Sequence, residues 1–146
     1  MMGALFGWVL VVLAALDLRH FWLPDRLVFI LFLIAGASLW SGIGPTPVDR
    51  LLGALGGFAT LALIAAAYRA IRNRDGLGGG DPKLLGALGA MLGWQALPLV
   101  LLGASAVGLL HIAIRLARGE NVTVTDRLPL GSLMALVAFP IWIVQQ

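Results

Sequence analysis

Apolar residues collect along the chain in six blocks, at about 2–18, 26–41, 50–71, 82–94, 97–117 and 129–145, with short polar breaks between them. Each block is read as a helix that crosses a membrane. The fourth and fifth blocks nearly fuse into one run from Leu84 to Leu116. At 1.5 Å per residue that run would be roughly 50 Å long, too long for a hydrocarbon core of about 30 Å. The Gly93-Trp94-Gln95 step and Pro98 supply the break. The first block has the apolarity of a signal peptide, but no Lys or Arg precedes it and more apolar blocks follow. It is read as a first transmembrane helix.

Composition agrees with this pattern. Of 146 residues, 60% are hydrophobic and 12% charged, and the mean hydropathy is +0.98. A soluble domain of this length could not hide that much apolar surface, so the expected solvent is lipid. The blocks fill the chain. Residues 1–146 are therefore expected to form one all-α, polytopic domain, a bundle of six transmembrane helices. The absence of cysteine excludes disulfides, thiolate metal sites and a cysteine nucleophile.

The charge distribution adds orientation. The formal net charge is +3, but the cations lie in short segments between apolar blocks, which is not the footprint of a nucleic-acid binder. Arg19 and Arg26 flank the first break. Arg69, Arg72, Arg74 and Lys83 flank the third, and Arg115, Arg118 and Arg127 flank the fifth. Only Arg50 is left for the opposite side. The positive-inside rule then places these three breaks in the cytoplasm and both termini outside. Trp8, Trp22, Trp40, Trp94 and Trp142 fall near expected span ends, as interface anchors do.

Small residues mark close helix contacts. Gly53 and Gly57 form a GxxxG, and Gly86 with Ala90 a small-xxx-small pair. The string LLGALG occurs twice, at 51–56 and 84–89, which chance in a Leu/Gly/Ala-rich chain explains better than duplication.

Asp49, Asp75, Glu120 and Asp126 fall in expected loops, where solvation accounts for them. Asp17 and Asp81 do not. Asp17 ends the first block after about 24 Å of helix, and Asp81 opens the fourth, about 21 Å before Gln95. Both lengths fall short of a full span, so both carboxylates are expected just inside the cytoplasmic boundary, at one depth. A carboxylate there is costly unless it faces protein or a wet cavity. Taken alone, Asp81 before Pro82 also fits a helix start, with Asp81 as N-cap, and Asp17 could simply end its helix beside Arg19. Taken together, the two can share a proton. One then serves as base on a water while the other polarises a carbonyl, as in aspartic proteases. Gly78, Gly79 and Gly80 would leave the site open to a peptide and can adopt φ > 0. A phosphate cradle would need GxxxxGK[ST], which is absent. His111, inside the fifth block, is expected to bond another helix or face water near a cavity. A proton relay is the alternative.

The stretch GLGGGDPKLLGALGAMLGW at 76–94 resembles the type IV prepilin peptidases, a family of GxGD aspartyl proteases, whose form there is close to GxGDxKLxxxLGxxLGW. Asp17-Leu18-Arg19 followed by Leu23-Pro24-Asp25 resembles that family's first catalytic segment. Leu128-Pro129-Leu130-Gly131-Ser132 resembles the IPFGP-like stretch that opens its last helix. The resemblance implies a bacterial inner-membrane enzyme that removes the basic leader of prepilins, or of pilin-like secretion proteins, at the cytoplasmic face. It implies Asp17 and Asp81 as the catalytic pair, with no metal or organic cofactor. Longer members carry an N-terminal domain, often with four cysteines, and also N-methylate the product; this chain is similar to the short form, as in Flp-type pilus systems. Gly78, Gly79, Gly80, Pro24, Asp25 and Lys83 are expected to shape the site. Asp25 is expected to cap the second helix, and Lys83 to snorkel, act on Asp81 or meet an acidic substrate side chain. The partners implied are a prepilin-like substrate and the lipid bilayer; no oligomeric state follows. Two rivals stay open: another GxGD-type intramembrane protease, and a non-enzymatic transporter or assembly subunit.

Overall fold

The structure, a computed structural model, describes residues 2–20, 23–42, 44–73, 78–120 and 129–145. They form six α-helices: α1 (Met2–His20), α2 (Asp25–Ala37), α3 (Pro47–Arg72), α4 (Asp81–Leu92), α5 (Leu97–Ala117) and α6 (Leu130–Val144). The six apolar blocks thus reappear as six helices. Short 3₁₀ turns follow α2 and α4. The break expected after the fourth block falls at Gly93, whose φ of 81° is open to glycine and strained for other residues. At the start of α3, the Thr46 hydroxyl accepts the Asp49 amide and Pro47 occupies the first turn. Its end is Asn73 in the left-handed conformation, whose amide returns to the Arg69 carbonyl.

Among the described residues, α1, α3 and α5 are long and apolar enough to cross a bilayer, and α6 is a shorter apolar helix. The expected spans are thus present as helices, but α2 and α4 are shorter than a bilayer core. With 12 residues, α4 is roughly 18 Å long. It is also buried on every side, as a core helix is: Leu84, Leu85, Ala87, Leu88 and Leu92 are all sealed from solvent. The outside of the bundle is as apolar as the inside. Trp8, Val11, Phe29, Leu55, Leu63, Leu102, Leu109 and Leu136 are each at least 60% exposed, far more apolar surface than a water-soluble protein shows.

Antiparallel packing of α3 on α4 sets the frame. A Cβ on Gly53 would strike the Gly89 carbonyl, and one on Gly57 would lie 2.7 Å from the Leu85 carbonyl. The two LLGALG copies therefore pack against each other. On α4 the close contacts come from Gly86 and Gly89 rather than Gly86 and Ala90. With Gly53 opposite Gly89 and Gly57 opposite Leu85–Gly86, the buried Leu61 comes level with the start of α4. From there residues 62–72 carry α3 roughly 16 Å further. Asp81 is therefore level with the middle of α3 rather than with its end.

The bundle has two polar ends. At one, α1 finishes beside the start of α6, and the starts of α2 and α4 meet. At the other, the start of α3 meets the end of α4. Here the buried Arg50 donates to the carbonyls of Pro45 (3.0 Å) and Ala35 (3.1 Å) and to the Ser38 hydroxyl (2.6 Å). Asp49 is not a loop carboxylate left to solvent. It belongs to the first turn of α3 and accepts from Thr46 Oγ1 (2.7 Å), Trp94 Nε1 (2.9 Å) and Gln95 Nε2 (3.1 Å). Glu120 is likewise paired, with Arg115 at 2.7 Å. Asp75, Asp126, Arg74, Arg127 and Trp22 lie outside the described residues. Of the other tryptophans, Trp8 and Trp40 face outward. Trp142 instead packs against Phe6 and Phe139, because Gly3 and Gly7 leave room for the rings.

Candidate active site

Asp17 and Asp81 come from different helices, α1 and α4, and line the same cavity of about 610 Å³. They are only 4% and 5% exposed. Pro24, Asp25, Gly78, Gly79, Gly80 and Lys83 line it as well, together with Leu23 and Arg26. Every residue singled out for the site is thus gathered at one place.

Asp81 is held by its own turn. Its amide donates to the Gly78 carbonyl (3.1 Å), and its Oδ2 accepts the Gly78 amide (3.2 Å). The N-cap of α4 is Gly80, with Asp81 first and Pro82 second in the helix. Asp81 does not cap α4 as the Asp-Pro pair suggested. Its carboxylate folds backward onto Gly78, and Pro82 has no amide to offer.

The three glycines serve different ends. A Cβ on Gly80 would lie 2.6 Å from the Leu23 Cβ, so this residue is glycine because Leu23 packs on it. Its φ of −85° is ordinary, and no left-handed backbone is needed there. A Cβ on Gly78 would crowd the Asp81 carboxylate at 3.2 Å. Only at Gly79 is the space empty, and that is where the expected open wall is found.

Asp17 is held from across the bundle. Its Oδ2 accepts the Ser132 amide at 2.7 Å and lies 3.1 Å from the Ser132 hydroxyl, which also lies 2.8 Å from the Pro129 carbonyl. A Cβ on Gly131 would meet Leu23 at 2.9 Å and Asp17 Oδ2 at 3.0 Å. Leu23 is thus wedged between the first turns of α4 and α6, and the wedge sets the distance between α4, which carries Asp81, and α6, which holds Asp17.

Asp25 is the first residue of α2 but makes no cap; the N-cap is Pro24. The Asp25 carboxylate instead pairs with Lys83 Nζ at 2.7 Å, at the exposed rim of the cavity. That contact joins α2 to α4 and already engages the Lys83 ammonium. His111 is exposed on α5 and is not among the residues that line the cavity. Among the described residues, no group of three or more His, Asp or Glu side chains comes together to hold a metal ion.

Residues 4–113 match the Type IV leader peptidase family. The chain belongs to that family. Among similar leader peptidases, the Prepilin leader peptidase/N-methyltransferase of Aeromonas salmonicida is 38% identical over 143 residues, 92% of this chain and 46% of that protein. That of Dickeya chrysanthemi is 46% identical over 114 residues, 75% of this chain and 39% of the relative. Leader peptidase HopD of Escherichia coli is 38% identical over 144 residues, covering 92% of this chain and 87% of HopD. The chain therefore spans about half the length or less of the first two relatives and most of the third. No solved structure matches.

The residues at or beside the cavity to which sequence reasoning gave no role in the site are Leu23, Arg26, Gly131 and Ser132. The LPLGS stretch was a signal, since it resembles the family's form at the start of the last helix. Nothing local in it shows that its amide reaches Asp17.

Proposed function

We propose that this chain is a membrane aspartyl endopeptidase that removes the leader of prepilins or pilin-like secretion proteins. The observation that carries the reading is the pair of buried carboxylates, Asp17 and Asp81, brought from separate helices to one cavity in a member of the leader peptidase family. Two carboxylates sharing a site hold one proton between them. In the proposed reaction the ionised carboxylate takes a proton from water as its oxygen attacks the scissile carbonyl. The protonated one donates to the carbonyl oxygen as it becomes tetrahedral. Collapse breaks the C–N bond, and the proton taken from water passes to the leaving amine. The open face at Gly79 gives an extended backbone room to lie beside the carboxylates.

The same reading assigns one domain over residues 1–146, six transmembrane helices, the bacterial inner membrane, a cytoplasmic cavity mouth and both termini outside. Charge supports the orientation. Arg19, Arg26, Arg69, Arg72, Lys83, Arg115 and Arg118 sit at the helix ends that gather on the cavity side, while Arg50 is at the other end. Gly78, Gly79, Gly80, Pro24, Asp25 and Lys83 shape the approach to the carboxylates, and the rim pair Asp25–Lys83 is placed where a charged leader would pass. The test is to mix the purified protein with a prepilin and follow release of the leader. Wild-type protein should cleave, and Asp17→Asn and Asp81→Asn should not. Normal cleavage by both variants would remove the mechanism.

A further inference from the structure

The first turn of α6 has amides that need acceptors from outside the helix. Its N-cap, Pro129, makes no side-chain cap bond. The acceptor for Ser132 comes from another helix: Asp17 Oδ2 receives its amide at 2.7 Å. Asp17 therefore caps α6 from a distance, and α6 in turn fixes Asp17. The Ser132 hydroxyl carries one proton and has two acceptors in reach, the same Oδ2 at 3.1 Å and the Pro129 carbonyl at 2.8 Å. Gly131 lets the turn come this close, because a side chain there would press on Oδ2. The contacts that α6 makes with the Asp17 carboxylate all fall on Oδ2. Among the described residues, Oδ1 of Asp17 accepts no hydrogen bond, although the side chain is buried and lines the cavity. Oδ1 is not one of the side-chain atoms sealed away without a partner, so it keeps access to the cavity, where water or a ligand can meet it.

We propose that Ser132 is a positioning residue: with Gly131 it ties Oδ2 of Asp17 to the start of α6, so that Oδ1 is the oxygen presented to water and the scissile bond. The proposal rests on the peptidase reading above. Ser132 itself does not touch the reacting atoms. It sets the rotation of the Asp17 carboxylate, and a misplacement of this order near reacting groups lowers the rate without altering how the remote parts of a substrate bind.

The test uses the full chain in detergent with one fixed prepilin-type substrate and measures kcat and KM separately. Ser132→Ala keeps the amide and removes the hydroxyl; kcat is expected to fall about tenfold with KM within about twofold. Gly131→Ala keeps every hydrogen-bonding group but pushes on Oδ2, and a comparable fall is expected. Ser132→Thr restores the hydroxyl and should return kcat to near the wild-type value. Wild-type kcat in both alanine variants would overturn the proposal. So would a fall that Thr fails to rescue, or a change carried by KM alone. Asp17→Asn separates this from the larger reading. If it is inactive while the Ser132 and Gly131 variants behave as wild type, only the positioning role fails. If it cleaves normally, the peptidase reading fails.

Discussion

Asp49 and Arg50 at one end of the bundle, and Asp17 and Asp81 at the other, are charged groups in the same apolar chain, but they are treated differently. The Asp49 carboxylate meets three side-chain donors, and the buried Arg50 donates to three oxygens. At this end partners surround the charges, and the result is a clasp that ties α2 and α4 to the start of α3. At the other end Asp17 and Asp81 are more deeply buried than Asp49 but have fewer donors among the described residues, and both line a cavity. Burial is therefore not what marks a site. A satisfied buried charge holds helices together, whereas a buried carboxylate with lone pairs left over is available for chemistry. Close backbone contact at Gly53 and Gly89 lies by the clasp, and backbone left open at Gly79 lies by the cavity.

The comparison predicts that the two ends fail differently. The largest effect should come from Asp17→Asn or Asp81→Asn. Each is expected to lower cleavage by about a thousandfold, with no loss of thermal stability followed by tryptophan fluorescence in detergent. A drop in melting temperature parallel to the loss of activity would erase the distinction between the ends. Next in size is Gly89→Leu, which drives a side chain into the α3 backbone. A loss of about 3 kcal/mol or more is expected, read as a lower denaturation midpoint, and a variant as stable as wild type would show that α3 and α4 do not meet there. Arg50→Met should cost about 2–3 kcal/mol, because the Ala35 and Pro45 carbonyls and the Ser38 hydroxyl lose a charged donor. Cleavage per folded molecule should stay close to normal, and a selective loss of kcat would tie the clasp to the chemistry after all. The smallest effect belongs to Lys83→Met. Its bridge to Asp25 is at the rim, with side chains 44% and 71% exposed. Such pairs contribute about 1 kcal/mol at most, so a stability loss as large as that of Arg50→Met would contradict the exposed geometry.

Much of the fold is legible in the chain because apolar blocks and their breaks are local properties. Gly93 and Pro98 interrupt a run too long for one helix, and a break occurs there. The two carboxylates are legible for the same kind of reason: each stands at the edge of an apolar block, where the cost of a carboxylate can be read from the local pattern alone. The roles of individual polar residues were harder to read. Asp25 and Asp81 both stand at helix starts, where Asp is a favoured cap. Both carboxylates turn elsewhere, to Lys83 and back to Gly78. Asp49 looked solvated because its partners Trp94 and Gln95 lie more than forty positions away.

The sequence by itself determined the number of helices, their order, the side on which cations gather, and the two aspartates worth watching. Hydropathy and charge act residue by residue, so they can be read without knowing what touches what. Only the tertiary structure decided that α4 is a short buried core helix, that the repeated LLGALG strings face each other, that Leu23 separates the starts of α4 and α6, and that Ser132 reaches Asp17 across the bundle. Those are matters of which surfaces meet. Steric fit and hydrogen-bond geometry fix them between residues far apart in the chain, and no local pattern carries that information.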